Sequence, residues 1–295
     1  MVKKVLLLGL LTLGIFMFWG CRSRTQGSTI VVISREDGSG ARSVFEELVD
    51  VNRRADGLMR QDAIISNGNG VVASSIESNP LAIGYISWAT FMDLQNDLRG
   101  LYIDGVAPTA MNMISGEYQL VRPFNFVYSS TNIGEVERAF ISFARSREGR
   151  GVLSEVGAIV DPLGAAPFNV DAFDLVAIDR QAARGSIAFG GSTSTEATAL
   201  ALISEFEVLF PQVDITYEAV GSGTGLRGVQ QGFFTLGFVS RDLYESEVAN
   251  GLNKVTYALD GIVIAVHPDR DTTDLSLEQV RDIYRGIITD WTELR

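Results

Sequence analysis

An α/β fold is predicted, on three observations. Short apolar runs alternate along the whole chain with stretches whose apolar residues recur at helical spacing. At three places a glycine- and serine-rich turn joins such a run to the helix that follows it. A chain of 295 residues with 46% apolar and 20% charged residues fits an ordinary globular core, arranged as one large or two medium domains.

The N-terminus has the layout of a bacterial export signal, residues 1–20. Lys3 and Lys4 precede an uncharged run from Val5 to Trp19 that ends in Gly20-Cys21. At about fifteen residues it is shorter than the roughly twenty a spanning helix needs. Cys21 is the single cysteine, so no internal disulfide can form, and its setting resembles the lipobox of bacterial lipoproteins, with Phe18 and Trp19 departing from that pattern. The expectation is a body tethered outside the cytoplasmic membrane by a lipid on Cys21. Without residues 1–20, 22 basic residues face 36 acidic ones, a net charge of −14. That balance argues against nucleic acid as a partner, because its capture relies on Lys and Arg meeting phosphates. A small buried anion is still allowed, since it feels donors a few ångströms away more than surface charges screened over about 8 Å.

After a polar linker to Ser28, the run Ile30 to Ile33 predicts a strand, and Val44, Leu48 and Val51 predict a helix. Ser66-Asn67-Gly68-Asn69-Gly70 reads as a turn before a helix near Val71 to Ile76, and Leu81 to Ser87 as the next strand. A loop region holding Gly100, Gly105 and Pro108 follows. Tyr118 to Tyr128 is extended, and Pro123 makes it an edge or crossing strand. Val136, Ala139, Phe140 and Phe143 mark an amphipathic helix, and residues 161–185 read as a connector. Then come Ile187-Ala188-Phe189, a helix with Ala199, Leu202, Ile203, Phe206 and Leu209, and the alternating strand Val213, Ile215, Tyr217, Ala219. Leu236 to Arg241 and Gly261 to Val266 follow. The last helix starts at Ser276, with Gln279 completing a capping box, and stops at Gly286, its apolar face being Leu277, Val280, Ile283 and Tyr284.

The three turns carry the chemistry. Ser34 to Arg42, Gly190 to Thr195 and Gly221 to Gly225 each place small polar residues at a helix start, where unpaired N–H groups and the positive end of the helix dipole face outward. Ser39 adds a hydroxyl, and Arg35 adds a planar fork of donors matched to an oxyanion. One such turn alone is a serine cap beside a turn glycine. Three in one chain point to convergence on a single anionic ligand.

The segments Gly191-Ser192-Thr193-Ser194, Gly221-Ser222-Gly223-Thr224-Gly225, Val239-Ser240-Arg241, Asp260-Gly261-Ile262, Tyr284 to Trp291, Arg35 to Gly40 and Ala82-Ile83-Gly84-Tyr85 span nearly the whole mature chain. Together they resemble the phosphate-binding, periplasmic or lipid-anchored component of ABC phosphate importers, which has a two-lobed type II periplasmic-binding-protein fold. Their order is circularly permuted relative to that family. The resemblance therefore implies one lobe from residues 29–104 and 267–295 and another from 105–266, hinged near Gly105 to Tyr118 and near Ile262 to His267. It places inorganic phosphate between the lobes, held by Thr193, Ser194, Ser222, Ser240, Arg35, Ser39, Gly40 and Ala41, with Asp37 orienting Arg35 as the single positive charge. It also implies an ABC permease and ATPase as partners, a monomeric state and no cofactor. In two places the chain departs from the family. Ala41 stands where many members have threonine. Ser240 stands where some have an aspartate that accepts the proton of hydrogen phosphate, so sulfate is expected to be rejected less strongly.

Rival classes remain another tetrahedral oxyanion, a surface sensing protein and a phosphohydrolase. Enzyme chemistry finds little support. Gly221 to Arg227 lacks the lysine of a P-loop, the sole histidine, His267, follows a strand beside Pro268-Asp269, and one cysteine with one histidine makes a poor metal set.

Overall fold

Val32, Ile33, Ile83 and Tyr85 lie in apolar runs whose side chains alternate between the two faces of a strand, yet all four are buried. Both faces of such a sheet must be covered by helices. The computed structural model, which describes residues 28–51, 58–160 and 164–294, has that layering in each of two lobes. The expected export signal, Cys21 and the linker as far as residue 27 lie outside the described residues.

The chain runs β1 (Val31–Arg35), α1 (Gly40–Leu48), β2 (Ile64–Ser66), α2 (Gly68–Glu77), β3 (Ala82–Ser87), α3 (Trp88–Leu94), β4 (Arg99–Gly100), β5 (Tyr102–Ile103), α4 (Ala110–Ser115) and β6 (Val121–Ser129). It continues through α5 (Glu135–Arg145), α6 (Arg147–Glu155), α7 (Leu175–Ala182), β7 (Ile187–Gly191), α8 (Glu196–Leu209), β8 (Ile215–Ala219), α9 (Ser222–Gln231), β9 (Leu236–Val239), α10 (Glu245–Ala249), β10 (Leu252–Val266), β11 (Asp274–Leu275) and α11 (Leu277–Arg285).

Among the described residues the main sheet has the order β2-β1-β3-β10-β6-β9-β7-β8, with β4 also paired to β10. In the N-terminal lobe β1 pairs in parallel with β2 and β3, and β10 lies antiparallel beside β3. The central lobe repeats the plan: β7 pairs in parallel with β8 and β9, and β6 lies antiparallel beside β9. Because the lobes share one strand order, a chain starting in either lobe builds the same topology. That is a physical reason for a permuted order to be tolerated.

Strand β10 joins the lobes. Its fifteen residues extend about 50 Å at ~3.4 Å per residue. Leu252 to Gly261 pair with β6, and Ile262 to Val266 pair with β3. Met113, Tyr118, Leu120 and Ile262 to Val266 pack in the N-terminal half of the sheet, most of them in one core with Phe45, Tyr85 and Tyr284. The change of lobe therefore falls near Leu120-Val121 and Gly261-Ile262, rather than at Gly105 and Val266, and Gly105 to Tyr118 and Ile262 to Val266 lie within the N-terminal lobe. The sequence hides this junction because β10 crosses it without a turn.

Other elements differ from expectation for local reasons. The stretch expected as loop around Gly100 to Pro108 is flanked by α3 and α4, whose caps Ser87 and Thr109 accept from the Thr90 and Asn112 N–H groups. Each buries only one or two residues, too few to show a helical period. The connector contains α7 for the same reason, with Ile178 alone buried. Strand β6 starts at the junction of the lobes and is interior to the sheet. It tolerates Pro123 because its pairing with β9 is confined to Asn125 to Val127. Leu209 is exposed, whereas Ala199, Leu202, Ile203 and Phe206 are buried. The capping box of Ser276 with Gln279 and the left-handed Gly286, φ 75°, bound α11 as the sequence predicts.

Candidate functional site

Arg35 ends β1, and the strand carries it to the junction of the lobes. The hydroxyl of Tyr85 on β3 lies 2.9 Å from Ser34 Oγ and accepts the Arg35 N–H at 3.2 Å. Its ring stacks on Phe45 at 4.0 Å, and Tyr284 meets Phe45 edge-on at 4.6 Å, so α1, β3 and α11 support the loop from beneath. Burial pushes the Tyr85 hydroxyl up to about 12, which keeps it protonated.

The Arg35 side chain is 1% exposed. Its Nε and Nη2 donate to the two carboxylate oxygens of Glu36 at 2.8 Å each, and Nη1 donates to Asn69 Oδ1 at 2.7 Å. A second Nη2 hydrogen crosses to the other lobe and meets Thr193 Oγ1 at 2.9 Å. Of the five donors a guanidinium carries, one on Nη1 is left over among the described residues. Burial alone would raise the Glu36 carboxyl. The hydrogen bonds and charge of Arg35, with the Gly68 N–H at 3.2 Å, outweigh it and hold Glu36 below the usual carboxylate range.

Asp37, expected to orient Arg35, pairs instead with Arg42 at 2.9 Å, and its side chain is 75% exposed. The two-residue alternation of β1 stops at Arg35, where the chain turns, so the adjacent Glu36 folds back in place of the residue two further on. Ser39 caps α1 by accepting the Arg42 N–H at 3.3 Å. Gly40 and Ala41 then occupy the first turn of α1, where N–H groups have no intrahelical partner.

Across the junction, Ser192 accepts the Ser194 N–H at 3.1 Å, which shapes the turn carrying Thr193 and Ser194. Asn69 Nδ2 donates to Ser194 Oγ at 3.1 Å. Ser222 opens α9 after Gly221, whose φ of 85° favours glycine. Ser240 follows β9 and donates its N–H to Ser222 Oγ at 3.3 Å, while its own Oγ lies 2.9 Å from Ser192 Oγ. Closure is tight. The Gly223 N–H donates to Gly38 O at 3.1 Å, and a Cβ on Gly40 would sit 2.4 Å from Ser240 Oγ and 2.5 Å from Ser222 Oγ. The structure thus gathers Arg35, Ser39, Gly40, Thr193, Ser194, Ser222 and Ser240 at one junction, with Ala41 in the helix turn beside them.

A second guanidinium stands behind this cluster, so Arg35 is not the single positive charge. Arg122 on β6 and Asp260 on β10 face each other in register with side chains fully buried. Nε and Nη2 of Arg122 reach Asp260 Oδ2 at 3.0 and 2.7 Å, Nη1 donates to Ser240 Oγ at 3.3 Å, and Asp260 Oδ1 accepts the Trp88 N–H at 3.1 Å. Burial pushes the Asp260 carboxyl up and the Arg122 guanidinium down, each opposed by the other's charge. Two arginines are thus matched by two carboxylates. What the junction has to offer an anion is oriented donors and helix starts rather than net charge.

The sequence profile of the PBP superfamily domain matches residues 22–148 and 179–294. The chain belongs to the PBP superfamily. It is 31% identical over 304 residues to the phosphate-binding protein PstS 2 of Streptococcus pneumoniae serotype 4, covering 99% of each chain. A crystal structure of a phosphate ABC transporter phosphate-binding protein from Streptococcus pneumoniae TIGR4 superposes with a TM-score of 0.70 and 31% identity, over 90% of this chain and 100% of that one. Both are similar from end to end, so the order of segments here is also theirs. The phosphate-binding protein PstS of Bacillus subtilis is 34% identical over 116 residues, 38% of each chain.

Glu36, Asn69, Ser192 and Arg122 join the site without having been singled out. Arg122 and Asp260 carried a signal, each being a charge inside an apolar run. Asn69 lay in a stretch that read as a turn. Its burial depends on α2 starting at Gly68, with φ 82° there. Among the described residues no cluster of His, Cys, Asp or Glu is placed to hold a metal, and no helix is long and apolar enough to cross a membrane.

Proposed function

We propose that this chain is an extracytoplasmic binding protein that captures inorganic phosphate between its lobes and delivers it to an ABC importer by hinge closure. The observation that carries the proposal is the contact of Arg35 with Thr193, a buried guanidinium of one lobe meeting the serine and threonine turns of the other. Its full-length relatives, phosphate-binding proteins by name, agree with that chemistry. Ligand contacts from both lobes supply the difference in affinity between open and closed states that closure requires. Thr193, Ser194, Ser222, Ser240 and Ser39 donate through hydroxyls, Gly40 and Ala41 through backbone N–H groups, and Arg35 through its remaining Nη1 hydrogen. Glu36 orients Arg35. The mature chain acts as a monomer held at the membrane by a lipid on Cys21, and it presents the closed face to the permease.

Isothermal titration of the purified mature chain with phosphate tests this. Arg35→Ala is expected to cost about 2–5 kcal/mol of binding, roughly thirtyfold or more in affinity, with the fold retained by circular dichroism. Unchanged affinity in that variant would remove Arg35 from the site.

A further inference from the structure

The direction of the hydrogen bonds around Ser240 can be worked out from the partners available. Ser192 is 2% exposed, and its Oγ has two neighbours: the Ser194 N–H, which donates to it at 3.1 Å, and Ser240 Oγ at 2.9 Å. A buried hydroxyl gives its proton to an acceptor. Ser240 Oγ is the acceptor Ser192 has, so the proton runs from Ser192 to Ser240. Arg122 Nη1 donates to the same Ser240 oxygen at 3.3 Å. A hydroxyl oxygen has two lone pairs. Both are now filled, so Ser240 can only donate its own proton, toward Ser222 Oγ at 3.4 Å in the anion-free chain and toward an anion oxygen when one is bound between them.

Neighbouring groups follow the same rule. Thr193 Oγ1 receives a hydrogen from Arg35, Ser194 Oγ receives one from Asn69, and Ser222 Oγ receives the Ser240 N–H. Glu36 has both oxygens on Arg35, while Asp260 divides its two between Arg122 and the Trp88 N–H. Buried and clamped by Asp260 in register across β6 and β10, Arg122 has no route to turn away.

We propose that Arg122 is a specificity-determining positioning residue that commits Ser240 to donating, so that the cleft takes tetrahedral oxyanions by their unprotonated oxygens. The phosphate dianion is preferred to the monoanion, and sulfate is a true competitor. This rests on the phosphate-binding proposal above and sharpens it, because a serine free to accept would tolerate the ligand proton.

The charged and titratable groups around Ser240 are Arg35 and Glu36 after β1, Tyr85 on β3, Arg122 on β6, Arg241 with Glu247 of α10, and Asp260 on β10. Sulfate does not titrate near neutral pH, so it reports any change in these groups, whereas phosphate reports its own second proton as well. In isothermal titrations phosphate affinity is expected to rise roughly tenfold between about pH 6 and 8, following the dianion fraction, while sulfate binds with affinity flat in pH. Phosphate affinity that does not change with pH, together with no sulfate binding at thousandfold excess, overturns the inference and leaves phosphate capture standing. Absence of binding by either anion overturns phosphate capture itself.

Two variants isolate the role of Arg122. The double variant Arg122→Met with Asp260→Asn removes the donor without leaving a buried charge, and the amide oxygen introduced at position 260 still accepts the Trp88 N–H. It is expected to lower the sulfate-to-phosphate affinity ratio at least fivefold and to flatten the phosphate pH profile. The parental ratio and profile in a folded double variant would sink the proposal. Ser240→Asp keeps the Arg122–Asp260 pair and needs no refolding of the hinge. It is expected to lose sulfate by about a hundredfold and to reverse the phosphate pH profile, binding more tightly at about pH 6 than at about pH 8, since a carboxylate repels sulfate and accepts the phosphate proton. Retained sulfate binding in Ser240→Asp counts equally against the idea.

Discussion

At the scale of single residues, a buried arginine has to be aimed without leaving its charge unpaired. Glu36 does this for Arg35 with two hydrogen bonds of 2.8 Å, and the pair adds no net charge to the junction. The folded-state pKa of Glu36 is lowered, so the unfolded chain binds its proton more readily. Its stabilising contribution is therefore present above the unfolded carboxylate range and is lost as pH falls through the folded value. Urea unfolding between about pH 3 and 6 should show stability climbing with pH in the parent and climbing less in Glu36→Gln. Equal slopes would mean Glu36 is no more tightly held than a surface carboxylate. This is also where the sequence was least readable. Whether Glu36 or Asp37 meets Arg35 depends on the residue at which β1 ends. Ser192 and Ser194 differ in role only through a turn whose geometry their one-dimensional pattern does not display.

At the scale of elements, the three strand–turn–helix units were legible because each joins an apolar run to a helix through glycines and small polar residues, a local pattern with a local cause. The crossing pair was not. Arg122 and Asp260 are 138 positions apart, and their meeting depends on the register of β6 with β10, which no short stretch encodes. Gly40 shows what the units demand of each other: its missing side chain lets α1 approach Ser222 and Ser240. Gly40→Ala puts a methyl where no heavy atom fits, an overpacking cost of about 1–3 kcal/mol that falls on the closed state. Anion affinity should drop about tenfold or more while the thermal midpoint of the anion-free chain stays near the parent's. A lowered midpoint with unchanged affinity would show that the cost falls on folding rather than on closure.

At the scale of the whole molecule, two lobes with the same strand order are linked by crossing strands rather than by loose linkers. Closure as proposed would therefore turn about Leu120-Val121 and Gly261-Ile262, where the chain changes lobe. The α/β class was legible from the alternation of elements, and the two lobes only through the family resemblance carried by motifs scattered over the chain. The boundary between the lobes differs from the expected one because β10 crosses it as an unbroken strand, which gives no composition signal. Small-angle scattering should show the radius of gyration falling when phosphate is added to the parent and staying put in Arg35→Ala. An identical drop in both would detach closure from the Arg35 contact.

The most direct examination of the central idea is a crystal structure of the mature chain grown with phosphate. The expected map has one tetrahedral anion between the lobes, within hydrogen-bond distance of Arg35, Thr193, Ser222 and Ser240 and of the first turn of α1. An anion held elsewhere, with Arg35 bonded to Glu36 alone, would contradict it.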